Sequence, residues 1–223
     1  NNKTDSKLPK TADVVIIGGG IIGCSTLYNL IQKGVKNPVL LERDVIGTGS
    51  TGRSMSLARM HYSNEVTTQM ALESLYWFKN FEELVGHPSG FVQSGYMAIV
   101  GPDGSKAMQD NVAMHKALGV NVDILTLEEA SEIAPMVNLK ETETFCYEPE
   151  SGYADAYAVA AGFGRRAVEL GGTICTSTEV ESVIIDKGKI KGVKTNKGVI
   201  ASDTVLIATG PWSKKFFQTF DMD

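Results

Sequence analysis

Residues 14–23 read VVIIGGGIIG: four β-branched apolar residues run into Gly18-Gly19-Gly20-Ile21-Ile22-Gly23, a Gly-x-Gly-x-x-Gly spacing. A short, wholly apolar, β-branched run suits a strand buried on both faces. Residues 21–33 then read as a helix that stops at Gly34. A second apolar run, 38–41, ends at Glu42, so the segment is a βαβ unit. The glycine spacing alone is a weak signal. A strand before it, a helix after it and an acid closing the next strand make it a dinucleotide-binding fingerprint. Gly18 permits the tight turn, Gly20 lets the backbone approach a pyrophosphate, and Gly23 lets the helix pack close to the strand. The helix-opening amides, from Ile21 and Ile22 to Gly23, face the anion. Glu42 lies 24 residues after Gly18, close to the offset of about 20 residues expected of the acid that bonds ribose hydroxyls. That acid disfavours a 2′-phosphate.

The rest of the composition bounds the answer. A chain of 223 residues allows one large domain or two small ones, and 43% hydrophobic with 21% charged residues suits a folded chain. The balance of 26 acidic and 21 basic residues gives a net charge of -5, which argues against a nucleic-acid binder relying on a basic field. Cys24, Cys146 and Cys175 sit far apart with no CxxC. Their spacing argues against a zinc site and against a disulfide framework, and fits a reducing compartment. A basic leader before the apolar run 14–30 invites a signal-peptide reading. The three glycines, with Ser25, Thr26 and Asn29, interrupt that run, so residues 1–12 are expected to be a flexible polar arm and no membrane span is expected.

Further along, 47–52 is a loop of Gly, Thr and Ser. Residues 65–85 read as one helix, with Val66, Met70, Trp77, Phe81 and Leu84 on its packed side. A strand is expected over 91–100, helices over 106–118 and 127–134, a strand over 145–147 and a helix over 155–170. Residues 173–175 read as a short strand. Runs at 180–185, 190–195 and 199–201, separated by Lys187-Gly188 and 196–198, read as an antiparallel meander. A last buried strand, 204–208, runs into Ala208-Thr209-Gly210-Pro211-Trp212. A simple NAD dehydrogenase would keep alternating strands and helices. A hydroxyl-rich loop, a long helix and a later meander depart from that plan.

This topology, closing on Ala208-Thr209-Gly210, resembles the glutathione-reductase type of FAD domain. The segments 14–23, 40–43, 47–62, 154–172 and 208–213 resemble the D-amino-acid oxidase superfamily of flavoproteins. They are most similar to its sarcosine oxidase β-subunit, dimethylglycine dehydrogenase and glycine oxidase branch. The resemblance implies an α/β fold: a glutathione-reductase-type, FAD-binding Rossmann-like domain with a β-meander over 13–88 and 149–223. Part of an inserted α+β substrate domain occupies 89–148. Family members are longer, so the resemblance reaches only their N-terminal portion. It implies a site completed by a further C-terminal portion or by a second polypeptide.

Carried over by position, the resemblance implies that Gly18, Gly20 and Gly23 hold the FAD pyrophosphate. Glu42 bonds the adenosine ribose and Arg43 flanks the adenine. Ser50 and Thr51 offer hydroxyls and amides to phosphate or flavin. The Val180 backbone faces the adenine, and Ala208, Gly210 and Trp212 lie along the cofactor. Arg53 either neutralises phosphate, sits by the flavin or is a solvated loop residue. Arg59-Met60-His61-Tyr62 resembles the family's Arg-x-x-Tyr, whose arginine clamps the substrate carboxylate. Independently of family, a guanidinium is a rigid bidentate fork for a carboxylate; the competing reading is a surface or phosphate-pairing arginine. His61 reads as a general base or as an inert packed ring. Some relatives attach FAD through a histidine where Gly52-Arg53 stands here, which argues against covalent attachment at that point.

The implied activity is FAD-dependent oxidation of the C–N bond of a small amino acid, N-methylated or secondary, by hydride transfer to flavin. Oxygen or an electron carrier then accepts the electrons. The rivals are a non-catalytic FAD-binding or assembly subunit, and an FAD dehydrogenase of a 2-hydroxy acid or glycerol phosphate. The expected location is the cytoplasm, or an organelle matrix if the N-terminus is processed. No metal and no nucleic acid are implied.

Overall fold

The computed structural model describes residues 8–220. The first elements in chain order are β1 (Val14–Ile17), α1 (Ile21–Gln32), β2 (Pro38–Leu41), β3 (Leu57–Ala58), α2 (Glu65–Lys79) and α3 (Phe81–Val85). Next come β4 (Tyr96–Val100), α4 (Ser105–Ala117), β5 (Asp123–Leu125), α5 (Leu127–Ile133), β6 (Thr144–Glu148) and β7 (Gly152–Tyr153). The chain closes with α6 (Ala156–Glu169), β8 (Thr173–Cys175), β9 (Val180–Asp186), β10 (Lys189–Thr195), β11 (Gly198–Ala201), β12 (Val205–Ile207) and α7 (Ser213–Phe217). They fall into two compact units. One holds the residues up to Met55, Glu82–Ser89 and those from Asp155 onward; the other holds Ser56–Phe81 and Gly90–Ala154.

The first unit is built on a four-stranded parallel sheet in the order β12-β1-β2-β8. Its central strands carry no polar side chain, and Val15, Ile16, Val39 and Leu40 are fully buried, as a sheet covered on both faces requires. Small residues let α6 lie close to α1. Gly164 would place a Cβ 3.7 Å from Cys24 Sγ, and the Tyr28 and Phe163 rings meet at 5.4 Å. Asp155 starts α6 by accepting the Ala158 N–H at 2.9 Å. The three-stranded meander β11-β10-β9 packs Val180, Val193 and Ile200 into one cluster with Val15, Ile17, Val39 and Leu41.

The meander depends on one glycine. Gly192 sits at φ +146°, and a Cβ there would lie 2.1 Å from the Ile200 carbonyl oxygen of the paired strand. Gly192→Ala is expected to destabilise the protein by about 3 kcal/mol. A lowered denaturant midpoint with an unchanged slope checks this.

The polar arm is not free where it is described. Thr11 bridges Ala201. Ala12 is buried and donates its N–H to the Ala201 carbonyl at 2.9 Å. The edge of β11 offers unpaired backbone groups, and the arm takes them. The expectation for residues 1–7 lies outside the described residues.

The second unit has an antiparallel sheet, β4-β6-β5, and a separate two-stranded ladder, β3-β7. Its core gathers Met60, Leu75, Met108, Val112, Val122 and Cys146. The single helix expected over 65–85 is two, because α2 ends with Asn80 as its C-cap and α3 starts at Phe81. Its packed side also differs: Val66 and Met70 are each 66% exposed, while Thr68 and Leu75 are buried with Ala71 and Leu72 beside the core. Apolar residues lie on two neighbouring stripes of α2, and periodicity alone does not choose between them. The strand expected over 91–100 narrows to β4, because Val92 pairs with Tyr153 and Gly95 donates its N–H to Ser151. The segment Ser56–Phe81 groups with this unit, whereas 13–88 was expected to run together. Among the described residues, no helix is long and apolar enough to cross a membrane.

Candidate functional site

In the first unit the glycine turn is enforced from both sides. Gly18 donates its N–H to the Leu41 carbonyl at 2.8 Å, and Ala208 donates to the Ile17 carbonyl at 2.8 Å. Gly18 has φ +112°, and a Cβ on it would meet the Ala208 carbonyl oxygen at 2.5 Å. A Cβ on Gly23 would sit 1.9 Å from the Gly18 oxygen, so α1 starts against the turn only because residue 23 has no side chain. Thr51 caps the opening: its Oγ1 accepts the Ile21 N–H at 3.0 Å and lies 3.1 Å from where a Gly20 Cβ would be. A helix has no acceptors of its own for its first amides, which leaves those of Ile22 and Gly23 for an external anion. Glu42 leaves β2 toward the same turn. Its Oε2 accepts the Gly19 N–H at 2.6 Å and its Oε1 accepts the Asp44 N–H at 2.9 Å.

The other residues expected along a dinucleotide are distributed around this turn. The Arg43 guanidinium carbon lies 5.0 Å from the centre of the Trp212 ring, and the same ring would be 3.5 Å from a Cβ on Gly49. Gly210 starts the short turn that carries Trp212. Ser50 heads the turn Thr51–Arg53, and both Ser50 and Arg53 are exposed. Val180 is buried at the start of β9, two residues after Thr178, whose N–H donates to the Glu42 carbonyl at 2.8 Å. Cys24 is no reactive thiol: burial, with Glu42 adding to it, pushes its pKa up to about 12. A turn cleared of side chains, free helix-opening amides and an adjacent acid together fit FAD.

In the second unit the chain leaves β3 into Arg59. Its guanidinium donates an Nη1–H to the His61 carbonyl. The guanidinium carbon stands 4.6 Å from the Tyr62 ring centre and 5.5 Å from that of Tyr96. Stacking of this kind holds the planar cation in place without using its in-plane N–H donors. Tyr96, which opens β4, carried no signal in the sequence.

Two more residues were missed, and both grip the backbone beside Arg59. Glu148 is fully buried; its Oε2 accepts the Met60 N–H at 3.0 Å and the Ser151 hydroxyl at 2.7 Å. His115, also fully buried, brings Nε2 to 2.7 Å from the Tyr62 carbonyl. Glu148 and Met60 are 88 residues apart, so no local pattern links them. Burial lowers the His61 pKa below the ordinary histidine value. Glu148 opposes that shift, and His115 and Arg59 reinforce it. The Cys146 thiol, 3.6 Å from His61 Nδ1, is pushed up to about 11 by burial and by Glu148, so it stays protonated at neutral pH.

Comparison with known proteins gives the family. The family model described as DAO, FAD dependent oxidoreductase, matches residues 13–222. The chain is 29% identical to the mitochondrial sarcosine dehydrogenase of Mus musculus over 219 residues, 93% of this chain and 23% of that protein. It is 28% identical to the mitochondrial pyruvate dehydrogenase phosphatase regulatory subunit of Mus musculus over 213 residues, 92% of this chain and 24% of that protein. The solved structure of L-proline dehydrogenase from P. horikoshii superposes with a TM-score of 0.89 at 30% identity, covering 97% of this chain and 58% of that one. The chain thus spans about a quarter of the length of these two curated relatives.

Proposed function

The chain belongs to the DAO family of FAD dependent oxidoreductases, and on that premise we propose that it serves the oxidation of a small amino acid whose nitrogen is secondary or N-methylated. When bound, FAD supplies the two-electron acceptor for the hydride that leaves the carbon of the C–N bond. The chain's own residues bind and orient. The Ile22 and Gly23 amides, at the positive end of α1, hold the pyrophosphate where Gly18 and Gly20 leave room. Glu42 takes ribose hydroxyls. Ser50, Thr51 and Arg53 serve the phosphates or flavin, and Arg43, Val180, Ala208, Gly210 and Trp212 line the rest of the cofactor. The unit that runs up to Met55 and takes in Glu82–Ser89 and the residues from Asp155 onward serves as the cofactor domain, and Ser56–Phe81 with Gly90–Ala154 serves as part of the substrate domain.

The observation that carries the substrate reading is the Arg59 guanidinium, held against Tyr62 and Tyr96 with an Nη1–H given to the His61 carbonyl. Its remaining in-plane donors suit a carboxylate. Sarcosine and L-proline, named for two similar proteins, each join a carboxylate to a secondary amine. Oxygen or a carrier takes the electrons. Three free buried cysteines support a reducing location, cytoplasm or organelle matrix. A second reading, a non-catalytic FAD-binding subunit working with another polypeptide, is favoured by the similarity to a regulatory subunit.

One experiment separates the two. Purified protein is loaded with FAD and mixed anaerobically with sarcosine, then with L-proline. Bleaching of the oxidised-flavin absorbance by either substrate is the expected result. Stoichiometric flavin that neither substrate bleaches selects the regulatory reading, and failure to take up FAD overturns both.

A further inference from the structure

His61, His115 and Glu148 each offer one ligand-type atom, and these atoms all lie within 4.8 Å of one another. Two of the three side chains are fully buried. Each of those two leaves a buried atom without a hydrogen-bond partner among the described residues: His115 Nδ1 and Glu148 Oε1. Native interiors rarely leave such atoms bare, and each exception calls for a water, an ion or a function.

The outer contacts narrow the choice. A carbonyl oxygen can only accept, so the 2.7 Å contact with Tyr62 puts the proton on His115 Nε2. That leaves Nδ1 of the neutral ring as a bare lone pair. Glu148 Oε2 is tied by the Met60 N–H and the Ser151 hydroxyl, so Oε1 is aimed and fixed. A histidine that gives its second N–H to a backbone carbonyl, beside a hydrogen-bonded carboxylate, is the outer shell that metal ligands need. His61 Nδ1 stands 3.8 Å from Glu148 Oε1. That is too long for a hydrogen bond and close to the roughly 3.4 Å between two ligands of a tetrahedral zinc ion, so the side chains close in by a few tenths of an ångström or more to hold one.

We propose that His61, His115 and Glu148 bind one divalent cation of the zinc class. Two imidazoles and one carboxylate favour such an ion over calcium or magnesium, which take all-oxygen shells. The cysteine spacing that argued against a zinc site does not bear on this one, whose ligands come from three separate segments. The ion joins the segment after β3, helix α4 and strand β6 at a single point, and so fixes the backbone of residues 60–62 that Arg59 grips through the His61 carbonyl. Its role is structural and lies beyond the oxidase reading.

The test reads metal directly and needs no flavin or substrate, so its failure leaves the proposed activity untouched. Protein stripped with a chelator is titrated with zinc by calorimetry, and bound metal is counted by elemental analysis. The expected result is one zinc per chain, removable by chelator, and intense visible bands when cobalt replaces it. His61 is part exposed, so His61→Ala keeps the fold; it is expected to weaken binding by about 100-fold or more, at least the loss seen for outer-shell partners. Glu148→Gln keeps an oxygen for the Met60 N–H and is expected to weaken it similarly. His87→Ala, at a histidine beside Glu169, leaves binding unchanged. No stoichiometric zinc at micromolar free metal overturns the proposal and leaves a buried water as the occupant. Equal binding by wild type, His61→Ala and Glu148→Gln overturns it as well.

Discussion

Valine in place of Gly20 is expected to leave the protein folded and unable to hold FAD. Gly20 has φ −76° and ψ −176°, extended backbone that valine adopts readily. Its Cβ would come only within 3.1 Å of the Thr51 hydroxyl, the end of a short side chain. The damage is local and chemical. The branched side chain pushes Thr51 off the Ile21 N–H and covers the mouth of α1, where the Ile22 and Gly23 amides wait for an anion. An affinity loss of about 1000-fold, or roughly 4 kcal/mol, is the expected scale. Flavin fluorescence titration measures it, and a melting temperature within a few degrees of wild type shows that the fold survived. Stoichiometric flavin on the variant would reject the turn as the pyrophosphate site. Gly23 could not serve for this test, because even one methyl there would lie 1.9 Å from the Gly18 oxygen and break the fold first.

Lysine in place of Arg59 is expected to raise KM for a carboxylate substrate by about 10- to 100-fold, the worth of a charge-assisted bidentate contact of roughly 1.5–3 kcal/mol. Charge is kept in this variant. What is lost is the planar fork and the stacking on Tyr62 and Tyr96 that aims it. A comparison of each amino acid with its uncharged amide isolates the effect. The acid should lose its advantage over the amide, and the amide's own constants should stay near wild type. An unchanged KM for the acid would reduce Arg59 to a packing residue.

What could be read without coordinates follows the length scale of each interaction. The βαβ unit, the glycine turn, Glu42 and the meander are written in runs of a few residues. Strand burial, helix stops and hairpin glycines are local physics. The pairs β3-β7 and β5-β6 were not legible, since β3, β5 and β7 are two or three residues long and show no period. The packed side of α2 was misread because Val66 and Met70 fit helical spacing as well as Leu72 and Leu75 do. At the Arg59 site, Arg59 and Tyr62 stand together in the chain and were found together. Tyr96, His115 and Glu148 converge on them from elements far apart in sequence, and only the fold supplies that information.

The partner strands of β1 have a consequence for the order of assembly. On one side β1 pairs with β2, which follows within 30 residues; on the other it pairs Val15 with Val205, Ile16 with Leu206 and Ile17 with Ile207. The carbonyl that presses on Gly18 belongs to Ala208. A nascent chain therefore carries its cofactor fingerprint out of the ribosome well before β12, with one edge of the central strand bare. That edge closes only when β12, far along the chain, has emerged, so cofactor capture waits for β12. Contacts of such long range close slowly, and until they do the fingerprint is an exposed strand edge, open to the wrong neighbour.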